Sequence, residues 1–258
     1  RKICLLLVTP PFIEPDWPAP SSVVALCTTR LGGCSAAPYE GLNLAHHVGD
    51  ANSSVAENRN ILATALPADV ELSWLSQVHG TVVVQAGQGG YYPSADAQWS
   101  RSQGVACAVL TADCLPVLLC SASGDVVAAA HAGWRGLLAG VLETTVSAMN
   151  TNTDELLAWL GPAIGPAAFE VGPDVREGFL AAARPSAVPS VTQCFVPNPV
   201  RPEHYFCDLY ALARIRLDAL GVTNIFGGGF CTYRDSERFY SYRRDGETGR
   251  MASVILLR

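Results

Sequence analysis

Three short islands set a reactive side chain among turn residues: Gln77-Val78-His79-Gly80, Ala112-Asp113-Cys114-Leu115-Pro116 and His131-Ala132-Gly133-Trp134-Arg135-Gly136. Two imidazoles and one thiol make a three-ligand set with a fourth position open to water. That is the pattern of a catalytic zinc, whose bound water loses a proton near neutral pH. The same atoms also suit a Cys–His nucleophilic pair that works without metal. Separations of 35 and 17 residues do not choose between the two. His131 directly follows the apolar run Val126–Ala130 and precedes a helical stretch. It therefore leaves a sheet at its edge, where ligands meet open sheets.

The remaining candidates are few. The chain has five histidines. His46 and His47 share a polar turn and read as a surface pair, since adjacent strand side chains face opposite ways. His204 lies in a proline-rich stretch and reads as solvated. Cys107 and Cys120 stand about one strand from Cys114 in apolar company and read as core. Nine cysteines, an odd number with no C-x-x-C, exclude a closed zinc site and give no disulfide framework, as suits a reducing cytoplasm. Arg30, in Thr28-Thr29-Arg30-Leu31-Gly32-Gly33, could meet an anion with its guanidinium while the glycine amides approach it. Neither Gly227-Gly228-Gly229 nor Gly87-Gln88-Gly89-Gly90 has the spacing of a dinucleotide loop, and no P-loop motif occurs.

These residues need a scaffold, and the chain is long enough to supply one. Its 258 residues are 49% hydrophobic and 16% charged, enough for a large core without disordered tracts. A net charge of −6 argues against nucleic-acid binding, which needs a basic stripe. The apolar stretch Val105–Cys120 is interrupted by Thr111, Asp113 and Pro116, so it is no membrane span. Arg1-Lys2 before Ile3 to Val8 mimics a signal peptide, but six apolar residues fall short of the usual core, and an edge strand is the expected reading.

Helices are expected from the capping box Ser54-Val55-Ala56-Glu57 to Pro67, over Leu137–Met149, from Pro173 to about Ala183, and over Leu209–Leu220 between Asp208 and Gly221. Strands are expected at Val23–Thr29, Thr81–Gln85, Val105–Leu110, Val117–Cys120, Val126–Ala130, Asn224–Phe226, Phe239–Tyr242 and Ser253–Leu257, with Pro185–Pro202 as the longest loop. Strands in runs predict a single α+β domain with mixed sheets rather than a doubly wound parallel sheet.

In this order the islands resemble the YfiH-like family, also described as multicopper polyphenol oxidoreductases (laccase-like) or purine nucleoside phosphorylases. The likeness continues through Leu42-Asn43-Leu44, Val48-Gly49-Asp50, Glu57-Asn58-Arg59, Gly161-Pro162-Ala163-Ile164-Gly165-Pro166, Phe169-Glu170-Val171-Gly172, Cys231-Thr232-Tyr233, Ser241-Tyr242-Arg243-Arg244-Asp245 and Gly249-Arg250. It implies a layered α/β/β/α fold over residues 13–258, with residues 1–12 as an extension unlike the family. It also implies catalytic metal ligands at His79, Cys114 and His131, with Arg30 and Asn43 lining the same pocket. The implied activities are phosphorolysis of adenosine, inosine and methylthioadenosine, and adenosine deamination. Some relatives are copper-dependent phenol oxidases, and bacterial ones are linked to peptidoglycan precursor editing.

Ligand arithmetic ranks these. A multicopper oxidase needs a blue-copper site and a trinuclear cluster, hence many histidines. Five histidines and no H-x-H fall short of that, though a single copper could still be held. A zinc enzyme of purine nucleosides needs only the three ligands and an anion-binding arginine. Zinc-bound hydroxide would attack C6 in deamination. In phosphorolysis, Arg30 would hold the phosphate that reaches the anomeric carbon. The expected partners are nucleosides and phosphate, with no nucleic acid and no membrane.

Overall fold

The computed structural model describes residues 12–88 and 92–258. The expected 1–12 extension, including Ile3 to Val8, lies outside the described residues except for its last residue, as do Gly89 and Gly90 of the second glycine run. Two mixed sheets carry the fold. One has six strands in the order Asn224–Gly227, Leu156–Leu160, Leu115–Ser121, Val127–Ala132, Ala97–Ser100, Val83–Gln85. The other has four, in the order Val23–Cys27, Met251–Leu257, Val105–Thr111, Glu71–Ser73. A small third sheet joins Phe195–Pro197, Tyr205–Cys207 and Glu170–Val171. The outermost pairings, at both ends of the large sheet and at the Glu71–Ser73 edge, are parallel, and the central ones antiparallel.

Side-chain alternation shows how these sheets stack. Along Leu115–Ser121, Leu115, Val117 and Leu119 face one core, while Leu118 and Cys120 face another. Along Met251–Leu257, Ile255 and Leu257 join the second core, whereas Ala252, Val254 and Leu256 face a third. The period of two thus sends each strand's apolar residues both ways, and the middle core lies between the sheets. Helices close the outer faces: Val141–Met149 and Leu209–Asp218 cover the large sheet, and Asn52–Thr64 covers the small one through Leu62. The result is an α+β protein layered α/β/β/α. Among the described residues no helix is long and apolar enough to cross a membrane.

Local departures from the sequence expectation have local causes. The Leu137–Met149 stretch is two helices, Trp134–Ala139 and Val141–Met149, because Gly140 takes φ +104° and breaks the helical run. The first helix starts at Asn52, two residues before the expected capping serine, with Ala51 as its cap. Asp208 and Pro173 act as expected: Asp208 accepts from the Ala211 amide at 2.9 Å, and Pro173 opens its helix. The expected Phe239–Tyr242 strand is instead a buried irregular segment, Phe239 to Ser241, feeding a short helix, Tyr242–Asp245, capped by Ser241. Pro185–Pro202 is not all loop, since it contains the Val188–Gln193 helix and the Phe195–Pro197 strand. The Leu156–Leu160 strand, unassigned from sequence, is apolar on both faces and gives no alternation to read.

Candidate metal centre

The site forms at one rim of the sandwich, where the chain crosses from one sheet to the other. His79 lies on the crossing from Glu71–Ser73 in the small sheet to Val83–Gln85 in the large one. Cys114 lies on the crossing from Val105–Thr111 to Leu115–Ser121. Both crossings use a left-handed residue that is not glycine, His79 at φ +60° and Asp113 at φ +89°. Such conformations persist only where surrounding contacts hold them. Here two buried carboxylates do so.

Asp96 is fully buried and holds the His79 turn by accepting from the amides of Val78 at 3.2 Å, His79 at 2.9 Å and Gly80 at 2.6 Å. The same carboxylate meets Nδ1 of His131 at 2.8 Å. Asp113 does the equivalent for the Cys114 turn. It accepts from the Thr232 hydroxyl at 2.6 Å and from the Arg243 amide at 2.7 Å, tying the turn to the C-terminal segment. Gln77 adds a further tie, donating to the Leu110 carbonyl at 2.8 Å and accepting from the Leu110 amide at 2.7 Å.

These constraints bring His79, Cys114 and His131 together, with their ligand atoms all within 4.8 Å of one another. Cys114 Sγ is 3.8 Å from His79 Nε2, and the two imidazole rings meet edge-on with centroids 4.8 Å apart. Ligand atoms of a tetrahedral zinc with sulfur and nitrogen donors lie about 3.4–3.6 Å apart. The Cys114–His79 distance is close to that, and the widest separation needs a contraction of roughly 1 Å. The donor set and spacing therefore fit a metal ion. His79 is exposed while His131 is buried, which leaves the cluster open to solvent on the His79 side. Gly133 lies directly behind it: a Cβ there would stand 2.9 Å from Cys114 Sγ and 3.1 Å from His79 Cδ2.

The electrostatics follow from this packing. Burial alone would raise the Cys114 thiol, but the His131 charge and hydrogen bonds from His131 and His79 outweigh it and pull the thiol down to about 6. Burial would lower His131, yet the Cys114 thiolate and the Asp96 carboxylate raise it to about 9. Asp96 itself is held below the usual range by His131 and by the Gly80 and His79 amides, against its own burial. Cys107 and Cys120, with no such neighbours, are pushed up by burial and sit in the core as expected. The eight described cysteines are all free thiols.

Arg30 and Asn43 are held by contacts of their own. Asn43 is buried in a polar network: its Nδ2 donates to Asp50 at 2.8 Å and to the Ala45 carbonyl at 3.1 Å, and its Oδ1 accepts from the amides of Ala45 and Arg250. Arg30 lies 4.9 Å over the Tyr240 ring and donates to the Ser236 and Glu40 carbonyls. It borders a separate cavity whose lining includes Glu40 and Glu237. Sequence reasoning missed Asp96 and Arg250. Arg250 is half-buried, lies 5.8 Å from the Tyr242 ring, and is near enough to feel the Cys114 thiolate and the Asp113 carboxylate. The Gly249-Arg250 motif was the available signal for it.

This combination of an α/β/β/α sandwich with a His–Cys–His cluster at its rim defines a metal-capable class of proteins. The chain belongs to the family described as multi-copper polyphenol oxidoreductase laccase, which matches residues 24–258. It is 55% identical to a purine nucleoside phosphorylase of Pseudomonas aeruginosa over 95% of this chain and 98% of the relative. It is 52% identical to the purine nucleoside phosphorylase YfiH of Escherichia coli, with the same coverage. A crystal structure of a Neisseria meningitidis protein, 48% identical, superposes with a TM-score of 0.88 over 95% of this chain and 98% of that one.

Proposed function

We propose that the chain is a zinc-dependent enzyme of purine nucleosides. It would release the base of adenosine, inosine and methylthioadenosine by phosphorolysis and also deaminate adenosine. The observation that carries this reading is the convergence of His79, Cys114 and His131 on one solvent-facing point. The names of the relatives support the substrate class. Zinc held by these three side chains would supply Lewis-acid polarisation and a water of lowered pKa.

The chain's own residues prepare that site. Asp96 accepts a hydrogen bond from Nδ1–H of His131, so that Nε2 is the nitrogen offered to the cluster. The imidazoles keep Cys114 as thiolate at neutral pH, the form in which sulfur ligates. Val78, next to His79 in sequence, and Tyr242, whose ring lies 5.8 Å from Arg250, are both more than half exposed and would be available to a flat base. Copper remains an alternative ion at the same ligands. The family's oxidase description supports it, whereas the histidine count does not supply a trinuclear cluster.

A second reading has its own support. A lowered thiol beside a raised imidazole is also the make-up of a cysteine nucleophile, as an amide hydrolase acting on peptidoglycan precursors would need. One experiment separates the two. Base release from inosine is measured with and without phosphate before chelation, after it, and after zinc is restored. Loss on chelation and recovery with zinc supports the nucleoside enzyme. Full turnover of verified metal-free protein, with an adduct on Cys114, supports the hydrolase.

A further inference from the structure

Beside the metal cluster lies a cavity of about 570 Å³ lined by His46, His47, Arg59, Leu75, Ser76, Gln77, Tyr92 and Leu110. It adjoins the two crossings that carry the site, since Gln77 stands two residues before His79 and Leu110 four before Cys114, and the two are clamped to each other. Its size falls within the range of small-molecule sites.

The lining has a one-sided charge. Arg59 is fixed flat, 4.1 Å from the Trp74 ring and 5.5 Å from Tyr92, with Nε and Nη2 donating to the Leu44 carbonyl and Nη1 to the Tyr92 hydroxyl. It contributes a permanent positive charge in a set position. His47 is held below its ordinary pKa by partial burial and by the Arg250 and Arg59 charges near it. Arg250 in turn feels the Cys114 thiolate, so positive charge runs from the cavity to the reacting centre. Among the described residues the lining includes no carboxylate. The cavity beside Arg30 differs on this point, since Glu40 and Glu237 line it and would repel an anion.

We propose that the His46–His47–Arg59 cavity, rather than the Arg30 loop, is the subsite for the anionic co-substrate, inorganic phosphate. The assignment rests on the phosphorolysis reading for its place in the reaction. In that reaction a phosphate oxygen bonds to C1′ of the ribose as the C1′–N bond to the base breaks. The base leaves with the bonding pair and takes up a proton, and ribose 1-phosphate is the other product. A cationic cavity adjoining the metal cluster would hold phosphate while leaving the cluster free for the nucleoside.

The test reads phosphate binding apart from turnover. Inorganic phosphate is titrated by phosphorus NMR into the full chain after chelation, so that ion-bound phosphate is not counted. Arg59→Gln and His47→Glu should each weaken saturable binding about ten-fold or more. His47 stands at the exposed edge of the cavity, so His47→Glu tests the idea even if Arg59→Gln fails to fold. Unchanged phosphate affinity in a folded His47→Glu, or loss of binding in Arg30→Ala instead, overturns the assignment. So does a rise in nucleoside KM alone, which would make the cavity the seat of the base. If phosphate binds there but no base is released, the subsite stands and the phosphorolysis reading falls.

Discussion

Asp96 and His79 are linked through the backbone rather than through the ring: the carboxylate grips the His79 amide at 2.9 Å while its contact to Nδ1 at 2.8 Å orients His131. One buried acid therefore places both imidazoles, and an error in its position moves two ligands at once. Asp96→Asn keeps the size but turns an acceptor into an amide that faces the Gly80 or Val78 N–H. Zinc affinity should fall about 10–100-fold, read by competition with a chromogenic chelator. A variant with unchanged affinity would show that the histidines are held by the sandwich alone.

Gly133 lies against the cluster, and its φ of −60° is open to any residue, so only space is at issue. Gly133→Ala would put a methyl group 2.9 Å from Cys114 Sγ. We expect weaker zinc binding and lower activity, with a thermal midpoint within a few degrees of the parent, about 1–2 kcal/mol. Equal loss of fold and metal affinity would count against a local effect.

Cys114 should titrate unlike an ordinary thiol. Its value near 6 lies below the usual 9.0, so the reactive thiolate persists as pH falls and is half lost only near pH 6. Site-resolved alkylation of metal-free protein across pH 5–9, followed by mass spectrometry, gives the profile directly. A midpoint above pH 8 would mean that the imidazoles do not stabilise the thiolate.

Replacing the ligand separates its two possible roles. Cys114→Asp should lose most metal affinity yet recover part of its activity at high zinc, because a carboxylate also ligates zinc. A nucleophilic cysteine permits no such recovery. Base release assayed over a zinc series decides the point.

Asn43 should act on the site through Arg250, whose amide it receives at 2.9 Å, and not through direct contact with substrate. Asn43→Ala strips four hydrogen bonds from a buried network and should cost about 2–4 kcal/mol of stability in denaturant unfolding. A stable variant with a large change in nucleoside KM would instead place Asn43 in the binding surface.

The sequence exposed the three converging side chains because each sits in a distinctive run beside glycine or proline. Asp96 was hidden: Ala95-Asp96-Ala97 carries no turn or motif signal, and its importance comes from partners 16–35 residues away. His46 and His47 are exposed, as a surface pair should be, but nothing local reveals that Arg59 and Tyr92 fold back beside them. The α+β class with mixed sheets was legible in the runs of strands, whereas the α/β/β/α layering came from the family resemblance. Gly140 was not read as a break because the apolar stripe continues across it, while only the backbone reverses. The aromatic run at Phe239 and Tyr240 suggested a strand by composition, but both rings are buried with Met251 in a small core of their own.

The placement of His79 and Cys114 on the two crossings gives the cluster a mechanical meaning. An ion gripped by both would act as a rivet through the rim of the sandwich, since sliding one sheet over the other would shear its bonds. Reaction geometry and the relative slip of the sheets then become one coordinate. Substitutions deep in the inter-sheet core, such as at Leu118 or Ile255, could detune the chemistry at a distance without touching a single ligand.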